Sequence, residues 1–327
     1  MFGRMRRTGS AALFAFAVVA FGAACNAVLG LDDLQPRVDA GTPPDASSGG
    51  PLRIANPGVP PTCLVLQLDR IYYCIGQRVV VAKRDGSEAR DFAPDGGVGT
   101  FAIGPAGACW TSNGALVKQT LDGGSPTVVV GGGVLDSVAC AGPFAYFAAT
   151  TDAGGVEVRR LRIDIADQPV PVMAVSALDS MATAGFDVVV ADENRASRIT
   201  SFGIVVDDAG NAQLDGSSVV SVDATAPRRI AAGGTSAYWV RGSSANVDMT
   251  KDFLTTASVS VAHSPSAIAV YGEDIYTVSE SDGLVLRRTP TDTKIVATGQ
   301  NGVHLIAVDD LSIAWATSSA IFILPRL

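Results

Sequence analysis

Seven segments of nine residues align along the chain without a gap, beginning at Val65, Ala102, Ala139, Ala182, Ala231, Ala269 and Ala307. The first position is Ala in six of the seven. The residue before it is always apolar: Leu64, Phe101, Val138, Met181, Ile230, Ile268 and Ile306. The seventh position is apolar too: Ile71, Ala108, Ala145, Val188, Ala237, Ile275 and Ile313. The eighth and ninth positions read Tyr72-Tyr73, Cys109-Trp110, Tyr146-Phe147, Val189-Val190, Tyr238-Trp239, Tyr276-Thr277 and Ala314-Trp315. All three Trp and five of the six Tyr fall in those 14 positions, so this is not a chance register of common apolar residues. Each segment runs apolar stretch, tight turn with Gly in several (Gly142, Gly185, Gly234, Gly272), then apolar-aromatic stretch. That pattern predicts a β-hairpin of two buried strands.

The starts are 37, 37, 43, 49, 38 and 38 residues apart. A period near 40 residues suits one four-stranded blade of a β-propeller. Small residues in the first strand suit the crowded centre of a radial array, and aromatics in the second fill the widening gap between blades. Third strands are expected at 115–121, 156–163, 284–288 and 321–324, and outer strands at 127–130, 170–175, 219–222, 258–261 and 294–297. The third and fourth units are longer. Asp207-Asp208-Ala209-Gly210-Asn211 marks one insertion, a loop that should protrude from one face. The last unit stops at Leu327, after its third strand, and the run Leu52–Ala55 precedes the first unit. That run can supply the missing outer strand, which leaves no open edge to invite aggregation. The fold class is therefore all-β: a β-propeller, with seven four-stranded blades closed by the N- and C-terminal strands. A six-bladed count and an open ring are the alternatives.

Ala237-Tyr238-Trp239-Val240, Ile275-Tyr276-Thr277-Val278 and Ile313-Ala314-Trp315-Ala316, each after a short turn, resemble the blades of secreted bacterial propellers and are similar to NHL and YWTD-like repeats. The resemblance spans about residues 52–327. It implies architecture and no activity, because propellers host binders, scaffolds and enzymes alike.

Ahead of the repeats the chain changes character. Arg4, Arg6 and Arg7 precede the apolar run 11–21, and Gly22-Ala23-Ala24 leads to Cys25. Residues 1–24 thus read as a secretory signal peptide, too short in its apolar part to span a bilayer permanently. Ala23-Ala24-Cys25 resembles the lipobox of bacterial lipoproteins, with Gly22 where that family usually has Leu. The resemblance implies that Cys25 becomes the lipidated N-terminus and anchors the protein to a membrane. Asn26, in place of Asp, implies the outer membrane, facing the periplasm or the surface. Plain cleavage, giving a soluble secreted or periplasmic protein, is the alternative. Residues 25–50, with Asp32-Asp33, Pro43-Pro44-Asp45 and Ser47-Ser48-Gly49-Gly50, read as a disordered acidic tether to a domain at 51–327. The stretch 25–33 is also similar to the start of predicted myxobacterial lipoproteins.

Composition narrows the chemistry. With 47% hydrophobic and 17% charged residues among 327, the chain has the material for a folded core. Its 24 Lys and Arg against 32 Asp and Glu give a charge of −8, which argues against nucleic acid as a partner. Four cysteines follow Cys25 in an exported chain. Cys63 and Cys74 flank the first hairpin and fall opposite each other, within disulfide range. Cys109 and Cys140 lie in neighbouring units, where they form either an inter-blade bond or two buried thiols. No Cys-x-x-Cys, Walker loop or Gly-x-Ser-x-Gly elbow occurs.

His263 and His304 are the only histidines. His304, two residues before Ile306 on an expected inner strand, is a candidate to line the channel; the alternative is a satisfied strand residue. Gly131-Gly132-Gly133 reads as an inter-blade turn. Asp207, Asp208, Asn211 and Asp215 could ligate calcium, though a solvated insertion fits the spacing better. Some propeller lyases use His, Glu and a metal, but Glu88, Glu157, Glu193, Glu273 and Glu280 do not assemble into such a site here. The expectation is a binding module at the cell envelope without metal or cofactor, its partner an envelope protein, peptide or glycan. A propeller lyase or hydrolase and a structural subunit of an envelope assembly are the rival readings.

Overall fold

A computed structural model of the chain describes residues 50–326, apart from 94–96, 176–177, 185–186, 193–197, 203, 207–211, 215–219, 224–226, 234–235, 242–244, 252–254 and 262. The described residues form seven four-stranded antiparallel sheets, one small hairpin and no helix. Six sheets are each built from one stretch of chain: 63–93, 98–130, 134–175, 178–223, 227–260 and 267–297, here blades 1 to 6. The seventh is composite. Its strands Leu305–Val308, Ser312–Ala316 and Ile321–Pro325 are completed at the outer edge by Leu52–Ala55. The inner strands touch in a closed cycle, from Cys63–Gln67 through each blade to Leu305–Val308 and back to Cys63–Gln67. This is the propeller that the repeat predicts.

Strand alternation explains the repeat. Successive side chains of a strand point to opposite faces of the sheet, so neighbours in sequence enter different inter-blade interfaces. The first position of the repeat lies directly across from the eighth, as in Val65 with Tyr72, Ala231 with Tyr238 and Ala269 with Tyr276. The residue before it lies across from the ninth, as in Leu64 with Tyr73, Phe101 with Trp110 and Ile306 with Trp315. Seven apolar clusters result, one between each pair of adjacent blades. Tyr72, Tyr146, Tyr238 and Tyr276, in the eighth position, pack against the following blade. Trp110, Trp239 and Trp315, in the ninth, pack against the preceding one. The three Trp side chains are at most 2% exposed, and burial of each aromatic stabilises by roughly 3 kcal/mol.

This geometry changes the role expected of the small first position. Ala231 and Ala269 face the next blade, opposite the eighth-position aromatics, and leave room for those rings. They do not simply relieve crowding at the centre.

Ring closure is made at the rim and on both faces. At the rim, Leu52 pairs with Ile323 and Arg53 with Phe322, while Ile54 and Ala55 pack beside Ile321 and Ile323. On the face that carries the turns between first and second strands, the Arg84 guanidinium forks onto Asp309, joining blade 1 to blade 7. Arg84 Nε also donates to the Leu68 carbonyl at 3.0 Å. On the other face, where one blade connects to the next, His304 Nε2 meets the Pro61 carbonyl at 2.8 Å. The chain end is tied down as well. Arg326 N–H donates to the Leu311 carbonyl at 2.8 Å, and its guanidinium lies 3.8 Å over the Tyr271 ring.

The insertion in blade 4 adds a hairpin, Ile204–Val206 with Ala212–Leu214, between the third strand Arg198–Phe202 and the outer strand Val220–Asp223. The outer strand of blade 5 lies at Thr255–Ser260, a few residues earlier than expected, because Val247 pairs with Val259 and Asn246 with Ser260.

Candidate functional site

Cys63 and Cys74 sit directly opposite each other in the first hairpin and form a disulfide, with Cα atoms 4.9 Å apart. Cys109 in blade 2 and Cys140 in blade 3 are buried, and their sulfurs lie 2.9 Å apart without a bond. Burial, followed by the hydrogen bond from its neighbour, pushes the Cys109 thiol well above the usual thiol range. A thiol so protonated is a poor nucleophile, so the pair offers no ready catalytic sulfur. Cys25 and the acidic group Asp207, Asp208, Asn211 and Asp215 lie outside the described residues. Among the described residues, no three His, Cys, Asp or Glu side chains gather in a way that could hold a metal ion. No described helix is long and apolar enough to cross a membrane.

The histidines serve the frame. His304 precedes its inner strand, and each of its ring nitrogens faces a backbone carbonyl, Nδ1 to Gly302 at 2.9 Å and Nε2 to Pro61 at 2.8 Å. It bridges the loop before blade 7 and the loop before blade 1, donating to one carbonyl or the other according to its tautomer. The candidate channel-lining role is therefore replaced by ring closure. His263 is 5% exposed, with Nε2 2.7 Å from Thr277 Oγ1 and no partner for Nδ1 among the described residues. Burial lowers its pKa, with Asp282 acting in opposition. The ring is thus packed inside the blade against a buried hydroxyl.

Sequence reasoning missed Arg229. A break in pairing register between Arg228 and Ile230 leaves it at φ 48°, a backbone region non-glycine residues seldom enter. It projects exposed from blade 5 and donates to the His304 carbonyl at 3.4 Å. A bulge has no sequence signature here, which is why the repeat alone did not find it. Gly131-Gly132-Gly133 forms the connection between blades 2 and 3, with Gly132 and Gly133 at positive φ.

Among the described residues, clefts open on both faces of the domain. The larger, about 410 Å³, lies between blades 5 and 6 on the face of the first-to-second-strand turns. Tyr238, Met249, Val259 and Ile275 form its apolar wall, and Arg288 and Glu273 are its charged groups. It opens at an interface where the ninth position carries Thr277 in place of a large aromatic. The smaller cleft, about 230 Å³, lies on the opposite face at the composite blade and is lined by Arg53, Gln300, Asn301, Thr317 and Ser319. Trp315 Nε1 donates to Gln300 Oε1 at 2.9 Å and so fixes one wall of it. Gly302 lets this loop pass close to blade 7, because a Cβ there would stand 2.9 Å from Ser318 Oγ in a backbone of φ 70°. Both clefts can recognise a ligand through hydrogen bonds and apolar contact. Neither brings together an acid, a base and a nucleophile.

No known protein family matches the sequence, and no curated protein matches it either. Solved structures do. A catalytically inactive virginiamycin B lyase from Staphylococcus aureus with quinupristin superposes with a TM-score of 0.59 at 14% identity, over 85% of this chain and 98% of the other. A chain of the mitotic checkpoint complex gives 0.60 at 10% identity, over 90% and 98%. The Neurospora crassa Pan2 WD40 domain gives 0.57 at 9% identity, over 87% and 92%. The chain is a β-propeller. At these identities the likeness is one of fold, and the propeller's chemistry has to be read from its own side chains.

Proposed function

We propose that this propeller is an exported, lipid-anchored binding module of the cell envelope that recognises a protein, peptide or glycan on its loop faces. One observation carries the reading: among the described residues the histidines and the bonded cysteines serve the frame, while polar groups remain open in clefts at the two faces. His304 clasps the ring, His263 is buried against Thr277, and Cys63 and Cys74 are bonded to each other. Arg53, Gln300, Asn301, Thr317 and Ser319 line an open cleft. A propeller within the mitotic checkpoint complex supports use of the fold as an assembly platform.

Export and anchoring rest on the signal and on Cys25. In an oxidising compartment Cys109 and Cys140 close a second disulfide, this one between blades, by exchange with a disulfide-bearing oxidant that takes up the two electrons and two protons.

The test is the non-reducing intact mass of the chain recovered from bacterial membranes, beside a Cys25→Ser variant. An acylated chain beginning at Cys25 that loses two hydrogens for each of two disulfides is the expected result, with the variant released from the membrane. An unmodified wild-type chain in the soluble fraction overturns the anchor. A free thiol pair in the native protein overturns the inter-blade bond.

A further inference from the structure

The cleft at the composite blade has a chemistry of its own, and its polar groups stand open to solvent. Arg53 is the one charged residue of its lining, so the cleft is positive. Glu280 and Asp282, the acids of the neighbouring turn in blade 6, do not line it. Arg53 and Asn301 are exposed, and among the described residues neither side chain has an ion pair or a hydrogen-bond partner. Ser319 is exposed beside them. Arg53 lies directly across from Phe322, so the two side chains stand together on the surface of blade 7 that faces blade 6. Phe322 is half-buried and its ring is held by stacking on Trp315, with centroids 5.8 Å apart and planes 19° apart. Gln300 is fixed as well. Its Oε1 accepts from Trp315, its Nε2 donates to the Thr298 carbonyl at 3.0 Å, and its backbone N–H donates to the Gly283 carbonyl at 2.9 Å. One N–H of the amide is left over. The cleft therefore offers a guanidinium, two amides, a hydroxyl and part of an aromatic ring, on walls that lose little freedom when something binds. Its volume of about 230 Å³ lies below the usual span of drug-sized sites, which limits the occupant to one small ring.

We propose that this cleft binds a single sugar unit bearing one carboxylate, a uronic acid, with its carboxylate on the Arg53 guanidinium, its hydroxyls on Asn301, Gln300 and Ser319, and its C–H face on Phe322. A guanidinium suits a carboxylate because its donors lie in one plane. Amides and a hydroxyl suit a sugar because each hydroxyl of the ring both donates and accepts. The same chemistry is offered by a free uronic acid and by the last unit of a glycan, whose remainder would lie outside the open cleft. The proposal rests on the reading of the propeller as a binding module and narrows its glycan to an acidic one. Arg53 comes from the N-terminal strand, while Asn301, Ser319 and Phe322 come from the last 27 residues of the chain, so the site exists only in the closed ring.

The test titrates the full chain, labelled with ¹⁵N at its tryptophan indoles, with methyl β-glucuronide, free glucuronate, methyl β-glucoside and inorganic phosphate. The indole N–H of Trp315 touches the cleft through Gln300 and is the reporter, assigned with Trp315→Phe. Both uronates should shift it saturably, and the neutral glucoside should bind about tenfold more weakly. A glucuronide bound at least as well as glucuronate assigns the site to the end of a glycan; tighter binding of glucuronate assigns it to the free sugar. Arg53→Gln should remove the preference for the acid and leave the glucoside unchanged. Asn301→Ala should weaken acid and glucoside by the same factor. Both positions are exposed, and thermal unfolding of each variant is the control for folding. The proposal is overturned if the glucoside binds as well as the glucuronide, if Arg53→Gln keeps the preference, if phosphate binds as tightly as the uronates, or if no Trp315 shift appears up to about 10 mM of either uronate. None of these outcomes alters the acylation and disulfide masses, so this proposal and the anchored module fail separately.

Discussion

The Cys63–Cys74 bond closes a short loop, and its worth can be calculated. The two residues are 11 apart in sequence, and a cross-link of that span removes roughly 9 cal/mol/K of denatured-chain entropy, or about 2.8 kcal/mol at 25 °C. For a domain of this size each kcal/mol moves the thermal midpoint by about 2–4 °C, so the bond should contribute roughly 5–10 °C. A direct substitution of both cysteines would confuse this with lost packing, because Cys74 is fully buried. The cleaner experiment works in a Cys109→Ala, Cys140→Ala background and compares the same chain oxidised and reduced. Both states then share every folded-state atom except the two thiol hydrogens, and circular dichroism follows unfolding in each. Midpoints that agree within about 2 °C would refute the reasoning, since even 1 kcal/mol should separate them by that much. Such agreement would mean that the unfolded chain already holds this hairpin and has no loop entropy left to lose.

Three further outcomes follow from the packing. Removing residues 1–59 takes away the strand Leu52–Ala55, with its half-buried Ile54 and its pairing to Ile321–Pro325; it should cost on the order of 2–3 kcal/mol and produce dimers in analytical ultracentrifugation through the bared edge. Trp315→Ala should cost about 3–5 kcal/mol in urea unfolding, whereas Trp315→Phe should cost clearly less because an aromatic contact with Phe322 is kept, the losses being the bond to Gln300 and the packing of the second ring. His263 is held below its ordinary pKa by burial, so the unfolded chain binds its proton first. Its share of stability is complete above about pH 6.5 and is lost as the pH falls through the lower folded value; His263→Asn should flatten that part of a stability-against-pH curve.

Much of the architecture is written in two columns of the repeat. Tyr238-Trp239 and Ala314-Trp315 announce both strand pairing and interface membership, because a period of two sends one residue to each side of the blade. Leu52–Ala55 was legible by elimination, since the last unit ended one strand short. The cross-strand position of Cys63 and Cys74 followed from symmetry about a two-residue turn. The clefts were not legible. Arg288 and Glu273 carry no motif, and they line one cleft only because one ends a third strand while the other sits in a hairpin turn of the same blade. The clasp by His304 was hidden for a similar reason. Its partner is a backbone carbonyl 243 residues away, and a carbonyl leaves no mark in the side-chain pattern.

The composite blade also imposes an order in time. The strand that seals the ring leaves the ribosome ahead of every blade, and its partner Ile321–Pro325 is the last strand of the ring to emerge. Six sheets can assemble as they emerge, since each draws on one continuous stretch of chain. Until the final residues appear, the apolar face of blade 1 around Leu64, Leu66 and Tyr73 stays uncovered, and the strand Leu52–Ala55 has nothing to pair with. A chain cut short before Ile321–Pro325 therefore carries a visible mark, an exposed apolar wall beside a loose strand, and is a ready substrate for proteases. Closure of the ring is in this way converted into protection from degradation, with the composite blade as the proof-reader of the propeller.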